Sequence, residues 1–138
     1  MINFYSETEF NLINETKISK WIIETILSEK FKEGEITFIF CDDIYLHKLN
    51  VEFLNHDTLT DIISFDNSIG KQINGEIYIS IDRVLENTTT FQTTFEDELH
   101  RVIIHGILHF CGYKDKKEED INRMRKKEDE ALKTRNFI

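Results

Sequence analysis

The sequence predicts an α+β fold in a single domain over residues 1–138, with a mixed sheet of about four strands covered by about five helices. The length of 138 residues, with 40% hydrophobic and 31% charged residues, is ordinary for a globular domain with one core. Short β-branched segments alternate with helical patterns early in the chain, whereas the last third is helical throughout.

A strand and a helix are expected first. Ile2 to Ser6 has the pattern of a short strand. A helix should follow from a cap at Asn14 or Thr16 to about Lys32, and Gly34 should end it. Its apolar face is formed by residues at helical spacing: Ile18, Trp21, Ile22, Thr25 and Ile26.

A second strand and helix come next. Glu35 to Cys41 is β-branched and aromatic, as expected of a strand. Asp42 and Asp43 suit a helix N-terminus, where carboxylates meet free amides. This helix should end near Asn55, with four side chains inward: Tyr45, Leu46, Leu49 and Phe53.

A hairpin and three helices complete the fold. Strands at 62–65 and 75–80, joined by a turn-rich segment, indicate an antiparallel hairpin. A weak helix is expected from Asp82 to about Phe91. Thr94 and Asp97 resemble a capping box that opens the next helix, and a charged surface helix should run from 117 to about 135.

The strongest chemical signal is a candidate metal site. His105 and His109 are four residues apart in an apolar run, so both imidazoles share one helix face. Gly112 suits the helix end, after which Asp115 can turn back towards them. Two imidazoles and a carboxylate favour zinc, although nickel or iron would also be accepted. The alternative is two core histidines and a surface aspartate.

Two neighbouring residues limit the interpretation. The spacing matches the protease pattern H-E-x-x-H-x-x-G-x-x-H, but Gly106 replaces the glutamate that acts as general base. Peptide hydrolysis is therefore disfavoured, and no general base is identified. Cys111 lies about 200° round the helix from His109, so it is assigned to the core rather than to the metal.

Charge and composition restrict the class of protein. The net charge of −9 argues against binding of nucleic acid through overall electrostatic attraction, and no DNA is expected as a partner. Residues 1–100 carry −12, whereas residues 101–138 carry +3, so the basic bias begins near the candidate metal helix. Two distant cysteines and the lack of a signal-like or membrane-spanning segment predict a cytoplasmic protein without membrane partners.

The metal motif and several other segments resemble one family. The sequence HGILHFCGY at 105–113 is similar to the HGxLHLxGY signature of the YbeY family of bacterial endoribonucleases and rRNA maturation factors. Further similarities lie at Leu49-Asn50, Asp57, 60–65 (TDIISF, against TDVLSF) and 75–80 (GEIYIS, against GDIxIS), and at Met124, Glu128 and Leu132.

This resemblance implies a zinc-dependent endoribonuclease specific for single-stranded RNA, with one ion per chain. It implies a role in ribosomal RNA processing, notably at the 3′ end of the small-subunit RNA, and in ribosome quality control. The small ribosomal subunit is then an expected partner. The alternative is a non-catalytic ribosome-assembly factor whose metal is structural.

Two positions depart from the family pattern. Asp115 stands where the family usually has a histidine ligand, and Leu54 stands where it commonly has an arginine thought to serve RNA contact or catalysis. His56, Lys114 or Arg101 are possible substitutes for that arginine.

The expected catalytic residues are Asp61, Ser64 and Lys114, beside a cleft between the metal helix and the hairpin that carries Gly75. Asp61 and Ser64 have an alternative role in hydrogen bonds at the strand end. Lys114, Lys116 and Lys117 form the local cluster placed to meet phosphate, and Tyr113 would stack on a base or belong to the core.

Overall fold

Four strands form one mixed sheet in the order β1-β2-β4-β3. The computed structural model describes residues 1–138. β1 (Ile2–Ser6), β2 (Lys32–Cys41) and β4 (Gln72–Ser80) run parallel, and β3 (Ile62–Asp66) pairs antiparallel with β4. The predicted α+β class, the mixed sheet and the β3–β4 hairpin are confirmed.

Five helices pack on this sheet. They are α1 (Glu15–Ser28), α2 (Asp43–Leu54), α3 (Ile81–Thr90), α4 (Phe95–Phe110) and α5 (Glu118–Lys133). The main core lies between one sheet face and α1 and α4, with contributions from α3 and α5, and a smaller core beneath α2 on the other face contains Cys41, Leu46 and Ile63. None of the helices combines the length and apolarity needed to cross a bilayer.

Two of the three predicted helix caps form. The Asp42 carboxylate accepts a hydrogen bond from the Tyr45 N–H at 2.8 Å, and the Thr94 hydroxyl accepts one from the Asp97 N–H at 3.1 Å. Asn14 occupies the N-cap position of α1, but its side chain makes no capping hydrogen bond.

The connection between α1 and β2 differs from the prediction. α1 ends at Ser28, and the chain reverses at Lys30, whose φ of 69° lies in the left-handed region. Gly34 lies inside β2 instead, where a Cβ would fall 2.1 Å from the Asn74 Oδ1. That oxygen accepts the Glu35 N–H at 2.8 Å beside a register shift. Gly34 is therefore needed for a close approach between strands, not for ending a helix.

Two α2 side chains expected inside are exposed. Leu46 is buried, but Tyr45 is 37% exposed and Phe53 is 60% exposed. Their rings contact only the flanks of Tyr78 and Phe65 on the sheet. The prediction was wrong because α2 buries Leu46 in the smaller core, while the rings that flank this contact keep one face in water.

α4 lies against the sheet at Gly106. A Cβ there would lie 3.0 Å from the Cδ1 atoms of both Ile62 and Ile77, which is tighter than ordinary contact. The helix ends at Phe110, and Gly112, with φ of 100°, turns the chain back. This reversal returns the following residues towards the last turns of α4.

Candidate metal centre

Three donor atoms converge beside the C-terminal half of α4. The Nε2 atoms of His105 and His109 lie 3.0 Å apart, and each lies 3.2 Å from the Asp115 Oδ2. The two histidines occupy successive helix turns, and the loop after Gly112 supplies the aspartate. Their side chains are 22–38% exposed, so the site is open to solvent. The structure thus brings the three predicted metal ligands together.

Hydrogen bonds on the far side of each imidazole fix its orientation. The His109 Nδ1 donates to the Tyr113 carbonyl oxygen at 2.9 Å, and the His105 Nδ1 donates to the Glu128 Oε2 at 2.7 Å. A carbonyl and an ionised carboxylate can only accept, so each Nδ1 carries the proton. Both Nε2 atoms therefore present lone pairs towards Asp115.

This donor set fits a divalent metal ion. Three lone-pair donors this close repel one another unless a cation lies among them. Zinc binds imidazole and carboxylate at about 2.0–2.2 Å, which places tetrahedral ligand atoms roughly 3.3 Å apart. The hydrogen bonds made by the Nδ1 atoms of His105 and His109 are of the kind that orients metal-binding imidazoles. These residues can hold a metal ion and leave a fourth coordination position open.

The electrostatic surroundings also favour a cation. Burial opposes a charge on His105, but the hydrogen bond and charge of Glu128, with the charges of Asp115 and Asp61, raise the pKa of the imidazole above its usual value. Glu128 is only 4% exposed, so its charge is weakly screened.

His105 and Asp115 form part of the wall of a cleft of about 550 Å³. The loop before β3 and helices α3, α4 and α5 supply the other walls, through Thr60, Asp61, Asn87, Arg101, Arg125 and others. Asp61, expected from the sequence to serve the site, lines this cleft.

A buried polar network lies in the cleft wall. The Asn87 Nδ2 donates to the Asp61 Oδ2 and to the Glu98 Oε2, both at 3.2 Å. Burial raises the pKa of both carboxyl groups, and the charge of Asp61 adds to the effect on Glu98. Both carboxyls therefore retain a proton to higher pH than exposed ones do.

The other expected catalytic residues lie outside the cleft lining. Ser64 is partly buried on β3, where it pairs with Ile77 of β4. Lys114 is exposed and borders a separate recess. Gly75 is covered by the Phe110 ring, since a Cβ there would lie 2.7 Å from the Phe110 Cζ. The cleft thus lies between α4 and the start of the hairpin, and α3 and α5 supply its other walls.

Of the residues considered as substitutes for the family arginine, Arg101 alone lines the cleft. Its guanidinium donates to the Glu128 Oε1 at 2.9 Å and to the Asp129 Oδ1 at 2.8 Å. Leu54, at the end of α2, is 41% exposed, and His56 in the next loop is exposed.

Cys111 and Tyr113 belong to the packing of the fold. Cys111 is half-buried against the main core, as predicted, and burial raises the pKa of its thiol to about 12. Tyr113 packs against the same core, and its hydroxyl donates to the Glu29 Oε1 at 2.6 Å. The ring of Tyr113 therefore has the core role rather than the stacking role considered above.

Spacing did not identify Glu128 as a site residue. It lies between buried Met124 and Ala131 on the inward face of α5. A lone glutamate within an apolar stripe was the available signal, because buried carboxylates require a partner. No local pattern pointed to Asn87 or Glu98.

Comparisons with known proteins extend over nearly the whole chain. The family model described as Endoribonuclease YbeY matches residues 2–136. Proteins named Endoribonuclease YbeY from Flavobacterium johnsoniae and Porphyromonas gingivalis are 58% and 48% identical, over 96% and 95% of this chain and 95% and 87% of their own. A solution structure of a protein from Thermotoga maritima aligns with a TM-score of 0.68 and 27% identity, covering 96% of this chain and 87% of that one.

Proposed function

This chain belongs to the YbeY endoribonuclease family, and on that basis we propose that it is a zinc-dependent endoribonuclease specific for single-stranded RNA. The convergence of His105, His109 and Asp115 at the edge of an open cleft, whose wall includes the first and third of these residues, carries the proposal. Three protein ligands rather than four are typical of catalytic sites. A bound zinc ion would polarise a phosphate oxygen and lower the pKa of water at its open position.

Asp61 is the proposed proton-handling residue. Its carboxyl group is partly buried in the cleft wall, and its raised pKa lets it hold a proton for the leaving oxygen. For Ser64 and Lys114 we propose more peripheral roles: Ser64 positions β3, and Lys114 contacts a phosphate of the strand beyond the cleft.

The proposed substrate is ribosomal RNA on the small subunit, including its 3′ end, rather than DNA. The net charge of +3 over residues 101–138, a range that contains the candidate metal ligands, supports this proposal. We place the activity in the reducing cytoplasm, which suits two free cysteines.

Cleavage of single-stranded RNA tests the activity. Wild type, His109→Ala and His47→Ala are compared after rigorous removal of contaminating nuclease. His47 is a matched control, because it pairs with Asp57 outside the cleft. We expect His109→Ala to lose at least 100-fold in kcat/KM and His47→Ala to keep the wild-type rate. Equal rates in wild type and His109→Ala would refute the proposed function.

Metal content tests the ligand assignment. Mass spectrometry of protein purified without added metal should find one zinc per chain in wild type. Asp115→Ala should lose most of it, because only two ligands remain. A full zinc equivalent in Asp115→Ala would contradict the assignment.

A structural role for the metal is the second candidate. The three candidate ligands lie on α4 and on the loop before α5, so a metal there would also hold that loop, and with it the start of the C-terminal segment, in place. A non-catalytic assembly factor would lose thermal stability on chelation and keep its ribosome binding after refolding, yet its metal-loaded form would cleave no RNA.

A further inference from the structure

One arginine in the cleft is held less firmly by its acidic partner than the other two are. Arg83, Arg101 and Arg125 all line it. The Arg83 Nε donates to both Asp43 oxygens at 3.1 Å, and Arg101 is held by Glu128 and its neighbour. The Arg125 side chain is 55% exposed, and its nearest acidic atom, the Glu128 Oε1, lies 3.6 Å away and already accepts from Arg101.

The guanidinium of Arg125 is therefore available to a ligand. Its planar fork of N–H donors matches the oxygens of a phosphate group. It lies on the wall that also holds His105 and Asp115, so a phosphate bound there shares the cleft with the metal ligands.

An exposed aromatic ring lies in the same cleft. Phe91, at the C-terminal end of α3, is 60% exposed and contacts no other aromatic ring. Leu59 and Ile121, 54% and 46% exposed, line the cleft with it. An open ring among apolar side chains suits stacking by a nucleobase, which presents a π face whatever its identity.

We propose that Arg125 and Phe91 form a nucleotide subsite for single-stranded RNA, in which the guanidinium binds a backbone phosphate and the ring stacks on an adjacent base. This inference rests on the proposed ribonuclease function and assigns part of its substrate binding. The faces of paired bases are covered in a duplex, so the subsite selects unpaired strands. It also supplies an arginine–phosphate contact in a chain that has leucine at position 54, where the family commonly has an arginine.

Binding of a nuclease-resistant probe tests the subsite independently of cleavage. The probe is a fluorescein-labelled, 2′-O-methylated RNA of about 12 nucleotides, a length matched to single-strand binding sites. Its affinity is measured by anisotropy with zinc-loaded Arg125→Gln and Phe91→Leu. Lys126→Gln is the charge control on α5, because exposed Lys126 lines neither this cleft nor the recess that Lys114 borders. Phe53→Leu is the aromatic control, because Phe53 is also 60% exposed but lies outside the cleft.

We expect Arg125→Gln to weaken binding about 5-fold for every sequence and to reduce the slope of log affinity against log salt by about 0.7. Phe91→Leu should weaken binding roughly 5- to 100-fold, whereas Phe91→Tyr should bind as wild type. Both controls should stay within twofold of wild type, and thermal melts of every variant verify folding.

Wild-type affinity in Arg125→Gln and Phe91→Leu would overturn the inference, as would a wild type that does not bind the probe. If wild type cleaves RNA but these variants bind normally, the inference fails and the proposed function stands. If they bind weakly as expected but wild type cleaves no RNA, the subsite stands and the ribonuclease proposal fails.

Discussion

Glu128 links the metal ligands to the rest of the fold at the scale of a single residue. One oxygen accepts the His105 Nδ1–H at 2.7 Å, and the other accepts from Arg101 at 2.9 Å. A carboxylate behind a ligand imidazole fixes the ring and increases its basicity. The strength of metal binding therefore depends on a residue that does not touch the metal.

Glu128→Gln should weaken metal binding about 10- to 100-fold, because the neutral amide holds the imidazole less firmly. Competition with a chromogenic chelator measures the affinity. Glu130→Gln is the matched control on α5, since Glu130 is exposed and reaches only Lys127, at 3.9 Å. An affinity unchanged by Glu128→Gln would show that His105 is oriented by other contacts.

At the scale of secondary-structure elements, the packing of α4 on the sheet determines where the candidate site lies. Gly106 lets this helix lie against Ile62 and Ile77, so the side-chain space that a protease fills with its catalytic glutamate is closed here. The same glycine explains the absent base and the position of the metal ligands relative to the sheet.

Gly106→Val should lower the free energy of unfolding by about 3 kcal/mol, since the added atoms must displace two core isoleucines. Gly106→Ala should lower the free energy of unfolding by less, because alanine is more favourable than glycine in a helix by about 1 kcal/mol, which offsets part of the strain. Urea denaturation measures both. Wild-type stability in the valine variant would mean that the helix shifts freely on the sheet.

Sequence patterns predicted the existence of every strand and helix, although not all of their ends. They failed where tertiary contacts decide the local structure. Lys30 adopts a left-handed turn that glycine was expected to make, and Gly34 serves a strand contact with Asn74. Tyr45 and Phe53 follow the helical pattern of a buried face, yet the structure buries only Leu46 and Asn50 of α2.

The candidate site likewise contains residues that the sequence predicts and residues that only the folded structure brings together. His105, His109 and Asp115 were predictable because one helix and one turn bring them together. Asn87, Glu98 and Arg125 reach the cleft from α3, α4 and α5, so only the packing of helices reveals them as neighbours.

His100 joins distant parts of the whole molecule. It is 4% exposed and lies between the rings of Trp21 from α1 and Phe137 from the C-terminal segment. Arg135 donates to its Nδ1 at 2.7 Å. Burial, together with the charge of Arg135, lowers the pKa of His100 to about 4, against a slight opposing effect of Asp97.

Stability should therefore fall in mild acid. The unfolded chain protonates His100 below about pH 6.5, whereas the folded chain does so only near pH 4, so the unfolded state binds more protons between these values. The contribution of neutral His100 is complete above pH 6.5, and about 3 kcal/mol is lost as pH falls to 4.

His100→Gln keeps an acceptor for Arg135 but cannot titrate in this range, so its stability should fall less between pH 6.5 and 4. Urea unfolding across this range measures the difference between the two proteins, which cancels the contributions of carboxyl groups common to both. Parallel pH profiles would show that His100 is not buried in its neutral form.

The three candidate metal ligands come from a span of eleven residues, 105–115, although the sheet that supports them extends to the first residues of the chain. So short a segment can chelate an ion without the rest of the fold, and the denatured ensemble competes with the native protein for metal. The ion then stabilises the native state only by its difference in affinity for the two states. That difference comes from Glu128, which reaches His105 only once α5 has docked.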